Sequence, residues 1–478
     1  VSTDGHRSFK SLLVDAIVIV AAAGFFAYGL QREPEFVDEA ADIAHTYFYR
    51  LAVRGEIHHV DWLHPAAYDH LPVFKYILGA AVRLAGEQPI DSLRPWELWM
   101  QSTYNPSAMP AIRACLPAAR IAMLVGAVFG CWMAYRLGRA LVGPRTGILA
   151  AILLAASPVY YVHARRAMAD DLTQGLVIAG LIALARLLAA AIAHKWRALG
   201  WSILCGLAAG LAAGTKLNGA TAALSVVLVG FLIGLAAVWS FGKHIGAGFG
   251  LTTVAACVIA VLVSIAVFVG INPYLYAQPD LEAAIEPGPR NTVIVAGQIR
   301  SLEYVAELRQ LADMGIVERT QVMLDHRAAA LNNAKRLFPE DALPTVWQRA
   351  ARIATEGIGR WFCGGVGVRE RAAGLQLPVP PTVWFIVPGL LTVIGLAFAW
   401  QDGCRQLAVG QAPIAWVLVV WPVVEVSMLL QSLTLNWDRY YLGVVAWTSM
   451  LVAYALSGVT RRLRDRLVLF PPNEETGP

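Results

Sequence analysis

The apolar residues of this chain lie in long unbroken runs, and that pattern constrains the fold more than any motif. Such runs occupy residues 12–30, 116–135, 147–162, 172–192, 200–213, 220–239, 249–271, 383–400, 414–430 and 440–457. A helix needs about 20 apolar residues to cross a bilayer, and most of these runs approach that length. They are continuous rather than alternating, so they read as helices and not strands. In hydrocarbon a helix satisfies its own backbone hydrogen bonds, which an isolated strand cannot do. Hydrophobic residues make up 57% of the chain and charged residues 15%, against about 25% charged in soluble domains. The expectation is an all-α polytopic membrane protein with about ten transmembrane helices.

Charge placement orients the spans. Basic residues at Arg7 and Lys10, Arg136 to Arg145, His194 to Arg197, Lys243 and His244, Arg405, and Arg461 to Arg466 fall on one side of a ten-span chain. That is the positive-inside pattern, so both termini are expected in the cytoplasm of a multi-pass protein of the plasma (inner) membrane. The first run follows Arg7 and Lys10 and reads as a signal anchor rather than a cleaved signal. The segment Leu71–Leu84 is short and carries Lys75 and Arg83. Counting it as a span would reverse the basic loop at 136–145, so it reads as an interfacial or re-entrant helix. The net charge of +5 gives no reason to invoke nucleic acid. The six cysteines form no CxxC pair, which argues against a disulfide framework or a thiolate zinc site.

With this topology the polar residues at the outer span ends gather on one surface. Asp38-Glu39 opens the long first outer loop, residues 31–113. A carboxylate held there can take a proton from an attacking hydroxyl; the alternative is a pair of acids favouring the N-terminus of a following helix. Arg165 and Asp170 precede the fourth span, with Asp171 beside them, and read either as a site or as an ion-paired helix start. Lys216, in Gly214-Thr215-Lys216, suits an anion contact or is a snorkelling anchor. Arg439, in Asn436-Trp437-Asp438-Arg439-Tyr440, offers a planar fork for phosphate or belongs to an aromatic belt. His58, His59, Asp61 and His64, with Asp69 and His70 after them, suggest a metal by composition, but their spacing fits no fixed ligand pattern, and the alternative is a polar interfacial loop with anchors such as Trp62. The polar stretch from 275 to 381 reads as a helical cap, with amphipathic segments at 303–308 and 346–353 and little strand patterning.

Taken together these pieces resemble the GT-C glycosyltransferases that use lipid-carrier donors, the superfamily of protein O-mannosyltransferases and aminoarabinose transferases. The Asp-Glu pair after the first span is met by Asp38-Glu39-Ala40, and a His-Pro-Pro-x-x-Lys-like stretch by His70-Leu71-Pro72-Val73-Phe74-Lys75, with Leu71 in place of the first Pro. Arg165 and Asp170 match a family Arg-x4-Asp pattern, and Thr215-Lys216-Leu217-Asn218-Gly219 a Thr-Lys-x-x-Gly turn. Arg439-Tyr440-Tyr441-Leu442 is similar to a terminal Arg-Tyr-x-Leu-Pro pattern, with Gly443 for Pro. Aminoarabinose transferases carry an Arg where Ala41 stands and a Lys where His70 stands, so their phosphate contacts do not transfer whole.

The resemblance implies inverting transfer of a hexose or pentose from a polyprenyl-phosphate donor to an acceptor hydroxyl at the extracytoplasmic face. Asp38 would be the general base, with Glu39 and Asp170 orienting the acceptor or tuning Asp38. Lys216, Arg439, Lys75 and Arg165 would meet the donor phosphate, and Asp69, His70, Asp171 and Tyr440 would support the acceptor. No cofactor is expected, and a divalent metal is the less favoured alternative. The partners implied are the lipid-linked donor, a protein, lipid or glycan acceptor, and membrane lipids. The expected organisation is a GT-C-like module at 1–274, an extracytoplasmic mostly helical loop at 275–381, further spans at 382–457 and a cytoplasmic tail at 458–478. The rival readings are a transporter or flippase of lipid-linked sugars, which should show mid-depth polar residues and paired repeats, and a non-catalytic scaffold.

Overall fold

The computed structural model describes residues 9–93, 95–97, 110–193, 195–239, 247–289, 292–296, 298–363 and 381–469. The basic residues Arg7, His194, Lys243 and His244 and the last part of the tail lie outside them. Nine helices among the described residues are long and apolar enough to cross a membrane, and Pro144–Ala156 is a shorter apolar helix of the same kind. The chain is an integral membrane protein, and its span count matches the apolar runs.

The short span is short for a local reason. Gly143 takes a positive φ of 152°, Pro144 opens the helix at its first position, and the helix stops at Ser157 before Pro158. Proline cannot supply the N–H that would continue the ladder. This helix lies against the 32-residue helix Pro110–Leu141. A Cβ on Gly147 would stand 2.3 Å from the Tyr135 carbonyl oxygen, so only glycine permits that approach. The last span, in the helix Leu442–Leu469, runs through the centre of the bundle beside fully buried Trp421 and Tyr441.

The first outer loop folds into short helices, Val37–Ala44, Tyr47–Val53, Pro65–Asp69 and Pro72–Leu84. Pro72–Leu84 has 13 residues, too few to span, and buries Val73, Phe74, Leu78 and Val82 while Leu84 is exposed. These helices do not form a separate layer. Phe48, Trp62, Leu63 and Leu71 share one apolar cluster with Tyr274, Val295, Leu308 and Met323 from beyond the sixth long span. Arg319, 1% exposed, pins this cap. It donates to the carbonyls of Leu311, Ala312, Tyr274 and Ala277 at 2.7–3.0 Å.

One expectation is corrected here. The 275–381 stretch contains a three-stranded antiparallel sheet, Ile285–Pro287, Thr292–Val295 and Gln298–Ser301, with Ile285 opposite Val295 and Ile294 opposite Ile299. Strands of three or four residues are too short to display a period, which is why sequence pattern missed them. The helices Leu302–Asp313 and Val346–Arg352 occur where amphipathic segments were expected, and Ile316–Leu337 is a further long one.

Candidate active site

A cavity of about 190 Å³ opens at the cap end of the bundle, where six separate parts of the chain meet. The helix Val37–Ala44 contributes Asp38 and Asp42, one turn apart and therefore on one face. The turn after Pro65–Asp69 contributes Asp69 and His70. Asp170 comes from the first turn of the helix Asp170–Ala193, and Lys216 from the extended break after the helix Lys195–Thr215. Arg439 and Tyr440 come from the short turn that starts the last span. Arg327, Ala330, Leu331 and Ala334, on one face of Ile316–Leu337, form the roof.

The cations are held by acids or carbonyls. Lys216 pairs with Asp170, and Arg439 pairs with Asp38. Arg439 also packs over the rings of Trp437 and Tyr440, 4.9 and 5.6 Å from their centroids, and its backbone N–H donates to Asp438 at 2.7 Å. Arg327 donates to the Asp69 carbonyl at 3.2 Å. His70 Nδ1 lies 2.8 Å from Asp42 Oδ1. Burial raises the pKa of Asp42, although His70 opposes that. Burial, with Lys75 and His70 adding to it, holds His45 neutral well below its usual range.

A second cavity of about 580 Å³ adjoins the first, and Asp38, Trp437 and Arg439 line both. Its walls include Phe36, Phe338, Trp361 and Trp437, with Asp341, Asn436 and Asp438 among them. The Asp38–Arg439 pair therefore lies where a chamber lined by three cations and several carboxylates adjoins a larger one walled by aromatic rings.

Of the residues singled out in the sequence, Asp38, Asp69, His70, Asp170, Lys216, Arg439 and Tyr440 line the first cavity. Glu39, Lys75, Arg165 and Asp171 do not. Glu39 is 2% exposed and accepts from Arg120 Nε and Nη2 at 2.8 Å, from the Ala167 N–H at 2.7 Å and from the Phe36 N–H at 2.8 Å. With both oxygens engaged it ties the Asp38 helix to the turn before Asp170. Lys75 is fully buried, and its ammonium donates to the carbonyls of Ala66 and Ala67 at 2.7 and 2.6 Å. Burial drives its pKa well down, and its place as a phosphate ligand is withdrawn because it does not reach the cavity. Arg165 is withdrawn likewise, since it pairs with Glu33 at 2.7 Å and packs over Tyr161. Asp171 is 1% exposed and lies beside Cys131 and Tyr160, inside the bundle.

The histidine-rich stretch serves local structure. His59 Nδ1 accepts from the Asp61 N–H at 3.2 Å and His64 Nδ1 from the Ala66 N–H at 3.1 Å, each capping a short helix. Tyr47 donates to Asp61 at 2.5 Å. Sequence reasoning missed Asp42, Arg327 and the buried Arg120. Asp42 stands four residues after Asp38 in a helix-forming stretch, and that spacing was the available signal.

Residues 114–264 match the family model described as dolichyl-phosphate-mannose-protein mannosyltransferase. In fold the chain is similar to the oligosaccharyltransferase of Archaeoglobus fulgidus, in its crystal structure with Zn and sulfate. The TM-score is 0.52 at 14% identity, covering 95% of this chain and 50% of that one. A structure of the oligosaccharyltransferase AglB from the same organism, with an inhibitory peptide and a dolichol-phosphate, aligns at TM-score 0.49 and 14% identity, covering 98% and 53%. ArnT from Cupriavidus metallidurans bound to undecaprenyl phosphate aligns at TM-score 0.36 and 14% identity, covering 96% and 81%. No curated protein matches the chain in sequence. The chain spans about half the length of the oligosaccharyltransferase whose fold it shares. The resemblance to the GT-C glycosyltransferases thus holds in the fold and in the mannosyltransferase-like stretch at 114–264.

Proposed function

We propose that this chain is a glycosyltransferase that moves a sugar from a polyprenyl-phosphate donor to an acceptor hydroxyl at the extracytoplasmic membrane face, with inversion. The observation that carries this reading is the position of Asp38, which lines both a cavity holding Lys216, Arg327 and Arg439 and an adjoining one walled by aromatic rings. Lys216, Arg439 and Arg327 suit the donor phosphate, and charge-assisted bonds to phosphate are the strong kind. The adjoining chamber, with its aromatic walls, carboxylates and amide, suits an acceptor brought to Asp38.

The arriving phosphate competes with Asp38 for the Arg439 guanidinium and with Asp170 for Lys216. Once Arg439 turns to the phosphate, a carboxylate oxygen of Asp38 is free to accept a proton. Asp38 takes the acceptor hydroxyl proton as the oxygen attacks the anomeric carbon. The bond from that carbon to the phosphate oxygen breaks, and its electron pair leaves with the lipid phosphate. Lys216 and Arg439 stabilise the charge that grows there, which is the largest kind of catalytic contribution a fixed site makes. Their two positive charges supply that stabilisation. Glu39 and Arg120 hold the helix that carries Asp38 and touch neither reactant.

The test is purified chain incubated with short-chain polyprenyl-phosphate sugars, with release of polyprenyl phosphate as the readout. Acceptors are drawn from envelope extracts, and products are identified by mass analysis. Release that depends on Asp38 and on acceptor supports the reading. Movement of lipid-linked sugar across vesicles without release would make the chain a flippase instead.

A further inference from the structure

Beneath the floor of the first cavity, Asp42, His45 and His70 each present one ligand-type atom, all within 4.8 Å of one another. Two belong to one helical stretch, where Asp42 and His45 stand three residues apart and share a face. The third comes from the turn that leads into Pro72–Leu84. The His45 and His70 rings stack with centroids 4.9 Å apart. His45 is 0% exposed, and neither of its ring nitrogens has a hydrogen-bond partner. A neutral imidazole carries one donor and one acceptor, and burying both unmet is costly. The other histidines of this loop escape that cost, since His58, His59 and His64 each accept from a backbone N–H.

We propose that Asp42, His45 and His70 form a binding site for a divalent transition-metal ion of the zinc type. Two imidazoles and a carboxylate are a donor set suited to such an ion, and three protein ligands leave a further position for water or substrate oxygen. Zinc binds nitrogen and oxygen at about 2.0–2.2 Å, which sets tetrahedral ligand atoms about 3.3 Å apart, so the ion takes the place of the 2.8 Å contact between His70 Nδ1 and Asp42 Oδ1 and draws His45 inward. Side-chain rotation closes the difference. Because Asp42 and His70 line the cavity and His45 lies behind them, the open position faces the chamber. The ion ties the end of the Asp38 helix to the turn bearing Asp69, and its binding does not depend on the transferase reading.

The test uses the full chain in lipid nanodiscs, stripped with chelator and titrated with Zn²⁺ by calorimetry and with Co²⁺ by visible absorption. The expected result is one ion per chain with submicromolar affinity and ligand-field bands from Co²⁺. His45→Phe keeps an aromatic ring at the buried position and should weaken binding by at least about 100-fold, more than loss of a supporting partner costs. The double variant His58→Ala/His59→Ala should bind as the unmodified chain does. Absence of tight binding by the unmodified chain overturns the proposal, as does unchanged affinity in His45→Phe or loss of binding in the double variant. Should His45→Phe fail to fold, His70→Ala at the partly exposed ligand serves in its place, and unchanged affinity there also overturns the proposal.

Discussion

Replacing Glu39 by glutamine is expected to loosen the frame of the site rather than slow its chemistry directly. The carboxylate accepts from Arg120 Nε and Nη2, Phe36 N–H and Ala167 N–H. Glutamine keeps one acceptor oxygen and presents an NH2 group to donors that face the other position. It also leaves the Arg120 guanidinium without its counter-charge, although Arg120 keeps its bonds to the carbonyls of Glu33 and Pro34. Removing one partner of a buried ion pair costs about 3–5 kcal/mol. The two retained carbonyl bonds place this case near the lower end, at about 3 kcal/mol. The assay is thermal unfolding of purified protein in nanodiscs, read beside donor binding and transfer. Glu39→Gln should melt several degrees lower and lose donor binding and transfer together. Glu39→Leu combined with Arg120→Leu should not restore the stability, because the Ala167 and Phe36 N–H groups and the carbonyls of Glu33 and Pro34 lose their partners. The reasoning is refuted if Glu39→Gln melts like the unmodified protein while transfer falls as far as in Asp38→Asn. Glu39 would then act in the reaction.

Asp38→Asn should reduce transfer by about 10²–10⁴-fold, the range for loss of a general base, with melting and donor binding little changed; transfer at the unmodified rate removes Asp38 from the mechanism. Lys216→Ala should weaken polyprenyl-phosphate binding, and Arg439→Lys should weaken it too because a point charge does not reproduce a bidentate fork; normal titration curves for both would make them structural partners of Asp170 and Asp38 only. Arg319→Met should leave four carbonyls unanswered under the cap and raise protease cleavage within residues 302–337, and an unchanged digest would deny Arg319 its stapling role. Single cysteines at His58 and Glu303, in a chain without exposed Cys363 and Cys404, should label from outside the cell, and one at Arg145 only after permeabilisation. External labelling at Arg145 would invert the topology.

The sequence by itself determined the spans and the end of the bundle that carries the site. A continuous apolar run has one stable form in hydrocarbon, and charged groups are tolerated only at its ends or in pairs. Counting spans therefore put Asp38, Asp170, Lys216 and Arg439 on one surface before any contact was known, and the structure brings all four to one cavity. Which neighbouring group faces that cavity was a different question. Asp38 and Glu39 are adjacent in sequence, yet helix geometry turns one toward Arg439 and the other toward Arg120, 81 residues away. Lys75 sits in a motif that suggested phosphate, but two backbone carbonyls close around it. Arg327 reaches the site from a helix whose charged residues look solvated in sequence, and His45 lost its partners only when the loop folded around it. Local period and composition record what an element prefers. The partner of a buried charge is chosen by packing between distant segments, and only the tertiary structure decided it.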